Sequence, residues 1–222
     1  MPLYADPTVL VYDTVKAKKL GYRAESNFVA LETFAALIKD GGAVALRGGE
    51  SLDFVNLITA GGTIAEGTEA RAALLLETER LLESENPRKA FQREEVFAAV
   101  IRLSELKSLY GDGPRFGLWF YPGSEKVPAC LVDRAVAFGM GQHMEGEKLA
   151  QALDFIAFLT GEKAGESLWA RNLCPAYLNH EIKVPGREME NLYRYAQNCV
   201  GGPPPAALAN TISLWRKEVM LD

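Results

Sequence analysis

The sequence is poor in the residues that most enzymes and metal sites need. It has 3 cysteines and 2 histidines in 222 residues. Cys130, Cys174 and Cys199 form no CxxC pair, so zinc-ligand spacing is missing. Idle or buried thiols are the simplest reading, and a Cys174–Cys199 disulfide is open only in an oxidising compartment. His143 and His180 have no partners at metal spacing and read as solvated loop residues. There is no GxSxG, HExxH, GxxxxGK[ST] or GxGxxG in its proper context, so the usual nucleophile, phosphate and dinucleotide sites are not built, and no cofactor is expected. Acidic residues outnumber basic ones, 29 to 24. The net charge of −5 gives a nucleic-acid partner no electrostatic help. No apolar run approaches the roughly 20 residues of a membrane helix. Nor does a basic stretch lead into an apolar one near Met1, so no signal peptide is read there; on this ground alone the chain reads as cytoplasmic, and a sequence whose start had been moved fits equally.

What remains is an ordinary globular composition, 48% apolar and 24% charged, in a chain long enough for one large or two small domains. "TVLVY" (8–12), bounded by Pro7 and Asp13, reads as a buried strand. A short helix follows, with Asp13 as N-cap and Gly21 as its stop. "NFVALETFAALIKDGG" (27–42) is an amphipathic helix capped by Asn27 or Ser26, with Phe28, Leu31, Phe34, Ala35 and Ile38 on one face. "AVALRG" (43–48) is a strand, and 50–62 a helix. Residues 66–85 read as one strong helix with i,i+4 Glu and Arg spacing, and 93–113 as another. "RFGLWFYPG" (115–123) and 130–140 are strands. Residues 146–172 give two helices around a turn at Thr160–Gly161, and the C-terminal stretch gives a proline loop and a last helix. About four strands separated by helices predict an α/β or α+β fold with non-local pairing.

Five stretches in this order resemble the extracellular sugar-binding type of ABC-transporter solute-binding protein, the family of maltose-binding protein. They are "PLYADPTVLVYDTVKAKKLGY", "NFVALETFAALIKDGG", "SLDFVNLITAGGTI", "REEVFAAVIRLSELKSLY" and "RFGLWFYPG…CLVDRAVAFGM…ALDFIAFLTGEKAGESLWARNLCPAY". The "FIAFLT" helix is the most specific of them. The second stretch has "ALET" where the family carries Thr-Trp-x-Glu. The resemblance implies an α/β, periplasmic-binding-protein-like fold, helix-rich with few strands, and a shortened two-lobe architecture. About a hundred first-lobe residues expected ahead of "PLY" are not in this sequence. Neither are a Gly-Lys-x-Ala-Met strand and a tryptophan-bearing ligand loop between Tyr110 and Arg115. On this basis 1–24 and 115–222 are the first-lobe remnant with the hinge strands, and 25–114 is the second-lobe helical part. Strands 8–12 and 130–138 are expected side by side as twin hinge ribbons.

A sugar needs aromatic platforms for its C–H faces and carboxylates or amides for its hydroxyls. The candidates are Tyr4 and Asp6 before the first crossover strand, Glu50, Ser51 and Asp53 at the start of a helix, Trp119 and Tyr121 on the return strand, and Trp169 after "FLT". Each has a plainer explanation: a turn for Tyr4 and Asp6, a helix N-terminus for Glu50, Ser51 and Asp53, and core packing for Trp119 and Trp169. The resemblance implies a non-enzymatic carrier that closes on a carbohydrate or similar polar solute, serves an ABC permease, and sits in the periplasm or outside the cytoplasm. Two other readings stand beside it. One is an interaction module whose uncovered lobe surface drives homodimerisation. The other is a small hydrolase with paired carboxylates.

Overall fold

The computed structural model describes residues 2–24, 26–48, 52–61, 67–110, 113–123, 130–132, 134–141 and 143–175, with 192, 195, 198, 200 and 201. Glu50, Ser51, His180, Cys199 and the expected C-terminal helix lie outside them.

The central sheet follows from one strand. β2 (Thr8–Asp13) is buried at every position, as its β-branched run predicts for a strand covered on both faces. It pairs antiparallel with β5 (Ala98–Arg102) on one side and β6 (Phe116–Trp119) on the other. β3 (Val44–Arg47) lies parallel to β5 and to β4 (Leu81–Ser84). The five-stranded order is therefore β4-β3-β5-β2-β6. α1 (Thr14–Lys19) starts as expected: the Asp13 carboxylate accepts from Val15 N at 2.8 Å and Lys16 N at 2.9 Å. Gly21, at φ +82°, supplies the left-handed stop. α2 (Leu31–Gly41) buries Phe34 and Ile38 fully.

Four expectations are corrected, three on the elements themselves and one on strand pairing. The helix read over 66–85 is α4 (Thr68–Leu76), a turn with Glu79 at φ +49°, and then β4. The helix read over 93–113 is β5 followed by a 3-10 helix, Leu103–Leu109. In both, pairing with a distant strand outweighs local helix propensity. The count of about four strands is also too low, since the described residues contain ten.

Two smaller sheets hold the remaining strands. β1 (Pro2–Ala5) is the centre of an antiparallel trio with β8 (Ala135–Ala137) and β9 (Cys174–Pro175). β7 (Leu131–Val132) runs parallel to β10 (Val200–Gly201). The expected neighbours 8–12 and 130–138 thus lie in separate sheets. The strand that meets 135–137 is β1, because Asp6 and Pro7 carry the chain out of one sheet before β2 enters the other. α3 (Asp53–Thr59) and α5 (Pro87–Gln92) flank the five-stranded sheet. α6 (Gly146–Leu159) and α7 (Glu162–Trp169) follow β8, broken at Thr160–Gly161 as the sequence indicates, and α7 packs on β9. No described helix is long and apolar enough to cross a membrane.

Candidate functional site

Two chain connections join the five-stranded sheet to the three-stranded one. The first is Asp6–Pro7, between β1 and β2. The second runs from the end of β6 through Tyr121 and β7 to Arg134 and β8. They meet at Asp6. Its backbone N–H donates to the carbonyl of Arg134 at 2.9 Å. Its carboxylate accepts from Ser104 N at 3.1 Å and Ser104 Oγ at 2.8 Å, and lies 3.5 Å from an Arg134 guanidinium nitrogen. Asp6 is 1% exposed. Burial raises its carboxyl above the ordinary carboxylate value, against the lowering effects of Ser104, Arg134 and Arg102.

Two residues further on, a hydroxyl network takes over. Thr8 Oγ1 and the Tyr121 hydroxyl share a hydrogen bond of 2.6 Å, and the Tyr195 hydroxyl donates to the Thr8 carbonyl. The Tyr195 ring stacks on Phe120, centroids 4.8 Å apart. Tyr121 is enclosed, so burial pushes its hydroxyl well above the usual phenol value, helped by Asp53 and Cys130 nearby. Cys174 is also raised, first by burial and then by Cys130 and Asp6. Cys130 and Cys174 are buried and not joined in a disulfide. A buried neutral thiol is a poor nucleophile.

Asp53 opens α3 and is fully buried. Arg47, at the end of β3, reaches it three times: N to Oδ2 at 3.0 Å, Nε to Oδ2 at 2.9 Å and Nη2 to Oδ1 at 2.5 Å. Three residues on, Asn56 clamps the second connection like a strand partner. It accepts from Leu131 N at 2.7 Å and donates to Leu131 O at 2.9 Å.

The structure therefore gathers Asp6, Asp53 and Tyr121 into one buried polar neighbourhood, where each is bonded to groups of the protein itself. Trp119 is fully buried in the core. Its ring stacks on Tyr12 at 3.6 Å between centroids, and its indole N–H donates to the Tyr22 hydroxyl at 3.0 Å. Trp169 is 7% exposed near the end of α7. Of the six described candidates only Tyr4, on β1 opposite Val136 and Pro175, is partly open to solvent. Glu50 and Ser51 lie outside the described residues.

Sequence reasoning missed Thr8, Arg47, Asn56, Ser104, Arg134 and Tyr195. One of them had a signal: an arginine closing a strand six residues before an aspartate that opens a helix. Sequence reasoning also missed an open groove of about 670 Å³ at the N-terminal ends of α2 and α4, lined in part by Phe28, Leu31, Glu32, Arg71 and Leu74. Arg71 is anchored there, donating to the carbonyls of Ile58 at 2.8 Å, Leu57 at 3.3 Å and Pro122. Among the described residues, no group of three or more His, Cys, Asp or Glu is placed to hold a metal ion.

Comparison with solved structures identifies the fold. The chain superposes on an ABC substrate-binding protein from Listeria monocytogenes in complex with cycloalternan, at TM-score 0.65 and 14% identity, over 99% of this chain and 66% of that one. A family 1 extracellular solute-binding protein from Bifidobacterium longum subsp. infantis matches at 0.68 and 15%, over 98% and 67%. UgpB from Mycobacterium tuberculosis, in complex with glycerophosphocholine, matches at 0.60 and 15%, over 85% and 55%. The fold is that of the periplasmic-binding-protein-like solute-binding proteins, as the sequence motifs imply. The chain spans about two-thirds or less of the length of these three structures. No family model and no curated protein matches the sequence.

Proposed function

We propose that this chain belongs to the sugar-type extracellular solute-binding proteins and is the solute-binding component of an ABC importer, or the larger part of one. One lobe is built around the five-stranded sheet and the other around β1, β8 and β9 with α6 and α7. A carbohydrate or similar polar solute is held between them, and the lobes close on it by bending at the two connections. The chain carries and releases the solute without covalent chemistry. It works outside the cytoplasmic membrane and delivers to a permease.

The observation that carries this reading is the shared fold, matched over 98–99% of the chain in two solute-binding proteins. Glycerophosphocholine in a third neighbour is the reason to keep the solute class as wide as polar solutes. The test is thermal unfolding against a panel of oligosaccharides, monosaccharides, polyols, amino acids and glycerophosphodiesters. A ligand at a hundred times its Kd stabilises by about 2.7 kcal/mol. At roughly 2–4 °C per kcal/mol for a chain of this size, the expected rise is about 5–11 °C for at least one panel member. No response from any of them counts against the proposal.

One observation favours a second reading, an interaction role. α6 carries large apolar residues on its exposed side as well as on its buried one. It buries Ile156 but leaves Leu153 49%, Phe155 57% and Phe158 71% exposed. A cluster of exposed large apolar side chains is a common mark of an interaction surface. If this surface pairs two copies, light scattering after gel filtration gives a dimer that Phe158→Ser dissolves. A monomer at every concentration removes that reading.

A further inference from the structure

We propose that Asp6 is a positioning residue, a latch that fixes the angle between the two sheet bodies, and that it is not a solute ligand. This deepens the two-lobed reading and rests on it. The geometry singles out this carboxylate. Asp6 sits in the shorter of the two connections, with only itself and Pro7 between β1 and β2. Its side chain reaches Ser104, just after β5 on the five-stranded side, and Arg134, just before β8 on the three-stranded side. Its own N–H holds the Arg134 carbonyl. One residue thus ties both connections to each other and to the end of a central strand. Pro7 reinforces the point: its carbonyl accepts from Leu103 N at 2.8 Å.

The chemistry suits a latch better than a binding group. The side chain is fully enclosed and three protein donors already converge on its two oxygens. A buried polar cluster of this kind specifies one arrangement more than it adds stability. Rotation of one body against the other separates Arg134 from Ser104, so Asp6 cannot keep both. The described angle is the one in which it does.

The test measures the angle directly and needs no solute. Spin labels are placed on exposed α2 and α6 positions, Lys39→Cys and Gln151→Cys, with Cys199→Ser and with the buried Cys130 and Cys174 left in place. Electron–electron distance distributions are then compared for the parent, Asp6→Asn and Arg134→Gln. The Arg134 side chain is 55% exposed, so its replacement leaves a folded protein even where Asp6→Asn does not. Ile38→Val, in the core of the same body, serves as a control for ordinary destabilisation. The latch predicts one dominant distance in the parent and a broadened or second population, several-fold larger outside the main peak, in both latch variants but not in Ile38→Val. Latch variants that superpose on the parent, or a control that broadens as much, overturn it. A silent solute panel leaves this result standing, so the two proposals fail separately.

Discussion

Replacing Asp53 by alanine separates a structural carboxylate from a solute-binding one. In the structure Asp53 is fully buried and takes three donors from Arg47, whose side chain is only 14% exposed. Asp53→Ala removes the carboxylate that this largely enclosed guanidinium bonds through two of its nitrogens. Removing one partner of a buried ion pair costs about 3–5 kcal/mol. Against a typical total of roughly 5–15 kcal/mol, that is a large share of the stability. At about 2–4 °C per kcal/mol, Tm falls by roughly 6–20 °C. Urea unfolding followed by circular dichroism measures the loss, and the double variant Arg47→Met with Asp53→Leu completes the cycle. An apolar pair of similar bulk is often neutral or stabilising by about 1–4 kcal/mol, so the double variant recovers most of what the single one loses. A loss below about 1 kcal/mol in Asp53→Ala, together with abolition of a solute response, refutes the reasoning and restores Asp53 to the solute.

Other substitutions probe the same architecture. Trp119→Ala removes a fully buried ring stacked on Tyr12 and costs about 3–5 kcal/mol in denaturant titration. A Cβ added at Gly117 comes within 2.5 Å of the Tyr12 ring, which the Trp119 stack holds in place, so Gly117→Ala costs about 1–3 kcal/mol by overpacking. Asn56→Ala removes the side-chain partner of both Leu131 backbone groups, at about 1–3 kcal/mol for a group left unsatisfied, read as faster hydrogen exchange around β7. Burial raises the Asp6 carboxyl above its ordinary 3.8. A carboxyl raised in the folded state contributes stability that is fully present below 3.8 and is lost as pH rises through the raised value. The stability of the parent minus that of Asp6→Asn therefore declines with pH across that window, and a rise instead contradicts the burial argument.

The sequence was informative where local signals and tertiary pairing agree. β2 reads as a buried strand because its β-branched run sits between a proline and a capping aspartate. α1 follows from Asp13, and the α6–α7 break from Thr160–Gly161. It misleads where the partner is distant. "VFAAVI" carries no period that separates helix from strand, and only β2 and β3 on either side make it β5. Asn27 looks like the N-cap of α2. In the fold it is stitched to the β6 segment instead, donating to Leu118 O at 3.0 Å and accepting from Phe120 N at 2.8 Å. α2 then begins after Ala30 without a side-chain cap. The site shows the same division. Asp6, Asp53 and Tyr121 were legible as polar residues at the crossovers. That protein donors occupy them was not, because Ser104, Arg134, Arg47 and Thr8 approach from other elements.

Closure is the event on which the functional reading depends, and it is measurable. With labels at Lys39→Cys and Gln151→Cys, the inter-body distance is recorded without solute and then with a saturating amount of whichever panel member raises Tm. Solute binding between hinged bodies predicts a shift of the distribution to a shorter, narrower peak. A solute that stabilises the chain while the distance stays where it was contradicts closure and points to binding on one body alone.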